Sequence, residues 1–221
     1  MQKYPSVSPT VAAPTLPPVA PQVIKAGKSG RRVVALTFDA CWKTTPSHYD
    51  ARIIEILRKT HTPATLLLGG RWMEAFPRET RELGKDPLFE LGNHSYIHPH
   101  MTQISEKAMR EEILRTQDIQ YRLAGKQGRL FRPPYGEYND KLVAVAASCG
   151  LKTLIWSVET GDPDPRQTAK EILKDTMRQV RPGAVIIMHM NGRGWHSAEA
   201  LPTLVSTLHA KGYRLVKVSD L

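Results

Sequence analysis

From about residue 31 onward, short β-rich apolar runs alternate with amphipathic helical stretches, which predicts an α/β fold of parallel strands wrapped by helices. Seven such units fit in about 190 residues, fewer than the roughly 250 residues typical of an eightfold barrel. The expected architecture is therefore an incomplete or distorted seven-unit (β/α) barrel. A doubly wound open sheet is the alternative, but the Gly-rich dinucleotide fingerprint that favours it is absent.

Val33-Val34-Ala35-Leu36 reads as the first strand, and Ser47 to Arg58 as a helix whose apolar face is Ile53, Ile54, Ile56 and Leu57. Ala64 to Leu68 gives the second strand, Pro77 to Leu83 a short helix, and Leu88 to Gly92 the third strand. The longest helix runs from Ser105 to Leu123, with Ile113, Leu114, Ile119 and Leu123 on its apolar face. Leu130-Phe131 is a short fourth strand. Asn139 to Cys149 is helical, with Asn139 as N-cap and Gly150 as stop. Leu151 to Trp156 is the fifth strand, Gln167 to Val180 a helix, and Ala184 to Met188 a fully apolar strand. Ala198 to Ala210 and Tyr213 to Val218 supply the last helix and the last strand.

At 221 residues the chain is long enough for one domain with a sizeable core. Residues 5–22 carry Pro5, Pro9, Pro14, Pro17, Pro18 and Pro21, so 1–30 reads as a disordered Pro-rich tether and 31–221 as the catalytic domain. No apolar stretch approaches the roughly 20 residues that span a bilayer, and residues 1–30 lack the apolar core of a signal peptide. A tail of this kind is what remains when a leader or anchor is removed, so export is expected: secreted, periplasmic or at the cell envelope. The net charge of +10 suits an anionic partner surface. The positive residues are spread out and no recognition motif is present, which argues against nucleic acid. A monomer is expected. The two cysteines, Cys41 and Cys149, fall on opposite faces of the predicted barrel, too far apart for a disulfide.

The chemistry-bearing residues follow predicted strands, on the face where barrel enzymes place their active sites. Asp39 ends the Leu36-Thr37-Phe38 run, and an acid there needs a partner or a function to offset its desolvation. Arg132 is that partner; it would keep Asp39 ionised and aimed as a general base toward water at a metal. His94 and His98 are four apart, so one helix-like turn would bring both imidazoles to one side as a metal-binding pair. Tyr135, in the stiff Pro133-Pro134-Tyr135-Gly136 turn, offers a backbone amide to a developing oxyanion. His189 follows a core strand, and Glu159 or Asp162 would hold its ring and raise its pKa for general-acid work. Trp42, Trp156 and Trp195 fall near the same face, Trp156 as a core residue closing the fifth strand.

Taken in order, Thr37-Phe38-Asp39-Ala40, His94-Ser95-Tyr96-Ile97-His98, Arg132 to Gly136, Glu159 to Asp162 and Met188-His189 resemble the five motifs of the polysaccharide deacetylases, the NodB-homology domain of carbohydrate esterase family 4. The resemblance runs from about Arg31 to Leu221. It implies a distorted (β/α)7 barrel of NodB type and a divalent metal, usually zinc and sometimes cobalt or nickel, that activates water to remove N-acetyl groups from a glycan. By position it makes Asp39 the base, His94 and His98 metal ligands, and Arg132 the group orienting Asp39. Tyr135 becomes the oxyanion amide, Glu159 the support of the catalytic histidine and His189 the acid.

Three positions depart from the pattern: Ala40 stands where a second, metal-binding Asp is usual, Glu159 where Asp is usual, and Pro163 where Trp is common. Two histidines hold zinc weakly, and Asp39 with water ranks ahead of Cys41 as the missing ligand. The expected activity is N-deacetylation of an acetylated N-acetylglucosamine polymer, peptidoglycan or chitin-like. A catalytically silent glycan-binding homologue and an O-acetyl polysaccharide esterase are the competing readings.

Overall fold

The computed structural model describes residues 13–28, 30–42 and 47–221. Among them, nine strands form one parallel sheet: β1 (Val23–Ile24), β2 (Val33–Ala40), β3 (Ala64–Leu68), β4 (Phe89–Asn93), β5 (Leu130–Phe131), β6 (Lys152–Leu154), β7 (Val158–Glu159), β8 (Val185–His189) and β9 (Arg214–Leu215). The order is β1-β6-β5-β4-β3-β2-β8-β7, with β9 beside the start of β2. The sheet curls into a half-barrel, and the helices α1 (Ala51–Lys59), α2 (Gly70–Ala75), α3 (Pro77–Lys85), α4 (Glu106–Ala124), α5 (Asp140–Ser148), α6 (Ala169–Gln179) and α7 (Ser197–Ala210) flank it. This is the distorted (β/α) barrel that the sequence predicts.

All eight residues of β2 are buried, as a parallel strand covered on both faces requires. Its alternate residues serve two layers. Val34, Leu36, Phe38 and Ala40 join the core under the helices, whereas Ala35 packs with Leu67, Leu154 and Val185 in the barrel interior. Thr37 and Asp39 continue that inner row toward the C-terminal rim, and Cys41 extends the same alternation one step past the strand.

The helices begin and end where capping chemistry dictates. Ser105 accepts from the Ala108 amide at the start of α4, and Gly125 closes it at φ +71°, where a Cβ would be strained. Asn139 caps α5, while Thr168 and Glu171 form a reciprocal capping box at α6. α1 starts later than its apolar pattern suggests, because Asp50, not Ser47, accepts from a first-turn amide. α2 carries no strong sequence signal: it opens on Gly69-Gly70 without a side-chain cap and is held by Trp72 and Met73, both fully buried.

Three boundaries differ from expectation. The fifth predicted strand shortens to β6, and a separate two-residue strand beyond its predicted end, β7, pairs with β8. The last shrinks to β9, after which Val218 turns inward and its amide donates to Thr65 Oγ1. The expected tether is not loose throughout. Val23–Ile24 pairs with Thr153–Leu154, the Val19 amide donates to the Ala147 carbonyl at 3.0 Å, and Leu16 packs against the core around Phe131 and Leu151. Proline excludes helix but tolerates an extended edge segment, so Pro content alone misplaces this boundary. Residues 1–12 lie outside the described residues. Deleting residues 1–28 is expected to lower the urea midpoint, each lost backbone hydrogen bond contributing about 1 kcal/mol.

Candidate active site

The C-terminal ends of the strands surround a cleft of about 300 Å³ lined by Asp39, Cys41, His94, His98, Tyr135, Trp156, Asp162 and His189 among others. Asp39 and His189 are register partners on the neighbouring strands β2 and β8, so the sheet itself sets a carboxylate beside an imidazole.

Arg132, fully buried just past β5, donates from Nη1 to Asp39 Oδ1 at 2.6 Å and from Nη2 to Thr37 Oγ1 at 2.9 Å. Burial works to raise the Asp39 pKa, but Arg132, followed by His94 and His189, outweighs it and holds the carboxyl below its ordinary value. The pairing read from sequence is present. Thr37, two residues before Asp39 on the same face, completes it and was not singled out, although the period-two alternation carries that signal.

His94 and His98 converge, with ring centroids 4.9 Å apart. They do so through an irregular turn and not the helix-like one expected, since Ser95 and His98 both sit in the left-handed region, at φ 60° and 62°. Pro99 disfavours helical backbone at His98, and side chains fix the turn instead. Asn93 Oδ1 accepts from the Ser95 amide, and Ser95 Oγ from the His98 amide. Glu112 on α4 accepts from the amides of Tyr96 and Ile97 at 2.8 and 3.0 Å.

The His94 Nδ1 atom lies 2.8 Å from the Arg132 carbonyl, which only accepts, so Nδ1 carries the proton and Nε2 keeps its lone pair. Burial lowers the His94 pKa despite the pull of Asp39, which favours that neutral ring. Its bare Nε2 then faces Asp39 Oδ2 at 3.6 Å. Two electron-pair donors opposed in a dry site suit a cation between or beside them, and the donor atoms of Cys41, His94 and His98 lie within 4.8 Å of one another. These residues fit a divalent metal. Arg132 engages Asp39 through Oδ1, and Oδ2 is the oxygen that faces His94.

Tyr135 occupies the left-handed region at φ 60° in the turn after Pro133 and Pro134. Its ring stacks on His100 with centroids 4.1 Å apart and meets His98 edge-on at 4.6 Å. His100 is exposed, and its Nδ1 lies 2.9 Å from Glu137.

Glu159 does not support His189. It is exposed at the end of β7 and accepts from Trp156 Nε1 at 2.8 Å. Asp162 holds the histidine, with Oδ1 2.9 Å from His189 Nδ1 and Oδ2 accepting from the His189 amide and from Ser197 Oγ. The chain reaches it because Gly161, at φ 75°, folds Asp162 back under the ring, and Gly194 leaves no room for a Cβ against His189, Ser197 and Asp162. Burial works against protonating His189, but Asp162 outweighs it and the His189 pKa is raised. Trp156, expected in the core, is half-buried on the cleft wall over Gly136, and Trp195 is exposed. Cys41 and Cys149 are not joined in a disulfide.

The curled parallel sheet and this rim of acid, base and imidazole groups define a barrel of the NodB-homology class. The polysaccharide deacetylase family profile matches residues 26–154, and the chain belongs to that family. A peptidoglycan-N-acetylglucosamine deacetylase of Bacillus cereus is 30% identical over 88% of the chain and 70% of that protein. The uncharacterized protein YlxY of Bacillus subtilis is 28% identical over 99% of the chain, which spans 65% of YlxY's length. A CE4 family pseudoenzyme from Bacillus anthracis superposes with a TM-score of 0.83 at 32% identity, over 92% of this chain and 69% of that one. A mutant of that pseudoenzyme has restored enzymatic activity.

Proposed function

We propose that the chain is a metal-dependent hydrolase that removes N-acetyl groups from an N-acetylglucosamine-containing cell-wall polysaccharide, acting as a monomer at the cell envelope. The observation that carries this reading is the pair of oppositely perturbed groups in one cleft: Asp39, whose carboxyl pKa Arg132 lowers through a 2.6 Å contact, and His189, whose pKa Asp162 raises through a 2.9 Å contact. They divide the proton transfers of amide hydrolysis. Asp39 takes the proton of the water that attacks the acetyl carbon. His189 gives its proton to the amine nitrogen as the carbon–nitrogen bond breaks, leaving acetate and the free amine.

A carboxylate paired with Arg132 is a weak base, so the water must be acidified. When bound beside His94 and His98, a divalent cation supplies that Lewis acidity. Tyr135 contributes its backbone N–H to the carbonyl oxygen as charge develops there. The substrate class rests on the named activities of relatives such as the Bacillus cereus protein, and the formal charge of +10 suits an anionic wall glycan.

Acetate release from peptidoglycan, chitin oligomers and acetylated xylan, with added zinc, cobalt or nickel, tests the reading. Release from the amide-linked substrates, abolished by chelation, is expected. Activity indifferent to strong chelation, or surviving Asp39→Asn, would falsify it. Release from the ester-linked xylan alone would establish the O-acetyl esterase instead. Ala40 and the likeness to a pseudoenzyme favour one second reading, a silent glycan-binding homologue. Oligosaccharide binding with no acetate release under any of the metals would establish it.

A further inference from the structure

We propose that the metal of this cleft is held by a thiolate: Cys41 replaces the carboxylate that Ala40 cannot provide, making a Cys-His-His site for a borderline-soft divalent cation such as zinc or cobalt. The inference deepens the proposed function, since it concerns the metal of that same site.

Four observations converge. First, the Ala40 side chain is fully buried and packs with Phe38 and Leu68 in the outer core, whereas Cys41 lines the cleft. The chain therefore places a donor atom at position 41 and none at position 40. Second, the Cys41, His94 and His98 donor atoms lie within 4.8 Å of one another. Ligands on one zinc, at bond lengths of about 2.0–2.3 Å, sit about 3.5 Å apart in a tetrahedral arrangement, so small side-chain rotations close the site. Three protein ligands leave one position open, which a catalytic site needs.

Third, charge is conserved. One thiolate with two neutral imidazoles gives the same formal charge as one carboxylate with two imidazoles. Fourth, the sulfur has the outer support that metal ligands require. Asn191, buried just past β8, donates from Nδ2 to the Cys41 carbonyl at 2.8 Å and to Sγ at 3.3 Å, fixing the sulfur as an acceptor. Cys149 is no competing partner for that sulfur, because it is buried in a separate cluster with Phe131 and Leu142.

The softer ligand gives the site a preference that a purely N,O set lacks, toward zinc and cobalt over magnesium, calcium and manganese. The test is cobalt loading of the full chain, read by absorption. Thiolate-to-cobalt charge transfer in the near ultraviolet is expected for the wild type and for Cys149→Ser, in which Cys41 is the one remaining thiol. It is expected to vanish in Cys41→Ser, with zinc affinity falling at least about tenfold, the scale on which even outer partners of metal ligands act. Should Cys41→Ser fail to fold, the band in Cys149→Ser still assigns the sulfur. Cobalt bound without the band, an unchanged band in Cys41→Ser, or no uptake of either metal overturns the proposal. Acetate release by a cobalt-loaded chain lacking the band sinks this inference and leaves the deacetylase reading standing. The band without acetate release does the reverse.

Discussion

Arg132→Met is expected to destabilise the protein by about 3–5 kcal/mol at neutral pH, because it leaves the Asp39 carboxylate buried without its counter-charge. Arg132 is fully buried and Asp39 nearly so, and the guanidinium also donates to Thr37, so its removal leaves two buried acceptors without their donor. The pH dependence identifies the cause. In the wild type the Asp39 pKa lies below its unfolded value, so its contribution is fully present above about 3.8 and is lost as pH falls through the folded pKa. Without Arg132, burial raises that pKa, and the carboxyl accepts a proton as the pH drops. Urea unfolding followed from neutral pH downward should therefore show the gap between variant and wild type narrowing. A gap that stays constant with pH would assign the loss to packing of the long side chain instead. Arg132→Met/Asp39→Asn should recover part of the stability, since it removes the unpaired charge.

Much of this arrangement is legible from spacing alone. The apolar run before Asp39, the run before His189 and the short Leu130-Phe131 strand before Arg132 each place a polar group at a strand's C-terminal end, and parallel pairing brings those ends to one rim. Periodicity does not report what a turn does after the strand stops. Glu159 and Asp162 are both acids within reach of His189 by sequence distance. Which of them turns inward depends on Gly161 in its left-handed conformation and on the close approach of Gly194. The same holds at the first motif. There the direction of the Asp39 carboxylate depends on Arg132, which arrives from 93 residues away and donates to Oδ1. The edge strand β1 was hidden for a simpler reason. Two residues just after a Pro-rich stretch carry too little pattern to register, yet two residues suffice to pair with β6.

Asp162→Asn should separate the support of His189 from every other role in the cleft. In the wild type the raised His189 pKa keeps the imidazolium present to higher pH than an ordinary histidine allows. The stability it contributes is complete below the unfolded value of about 6.5 and is lost as pH rises through the folded pKa. With the carboxylate gone, only the weaker pull of Asp39 opposes burial, so that pKa falls and the acid form disappears earlier on the alkaline side. For a general acid this predicts a fall in kcat of about 10²–10⁴ together with an alkaline limb moved to lower pH. Glu159→Gln should shift neither, because Glu159 meets Trp156 and not the imidazole. An NMR titration of the His189 ring reads the same contrast without turnover. A ring pKa that moves in Glu159→Gln and stays in place in Asp162→Asn would return the supporting role to Glu159. The opposite pattern ties His189 to Asp162 through the 2.9 Å contact, with Ser197 and the His189 amide keeping the carboxylate directed at it.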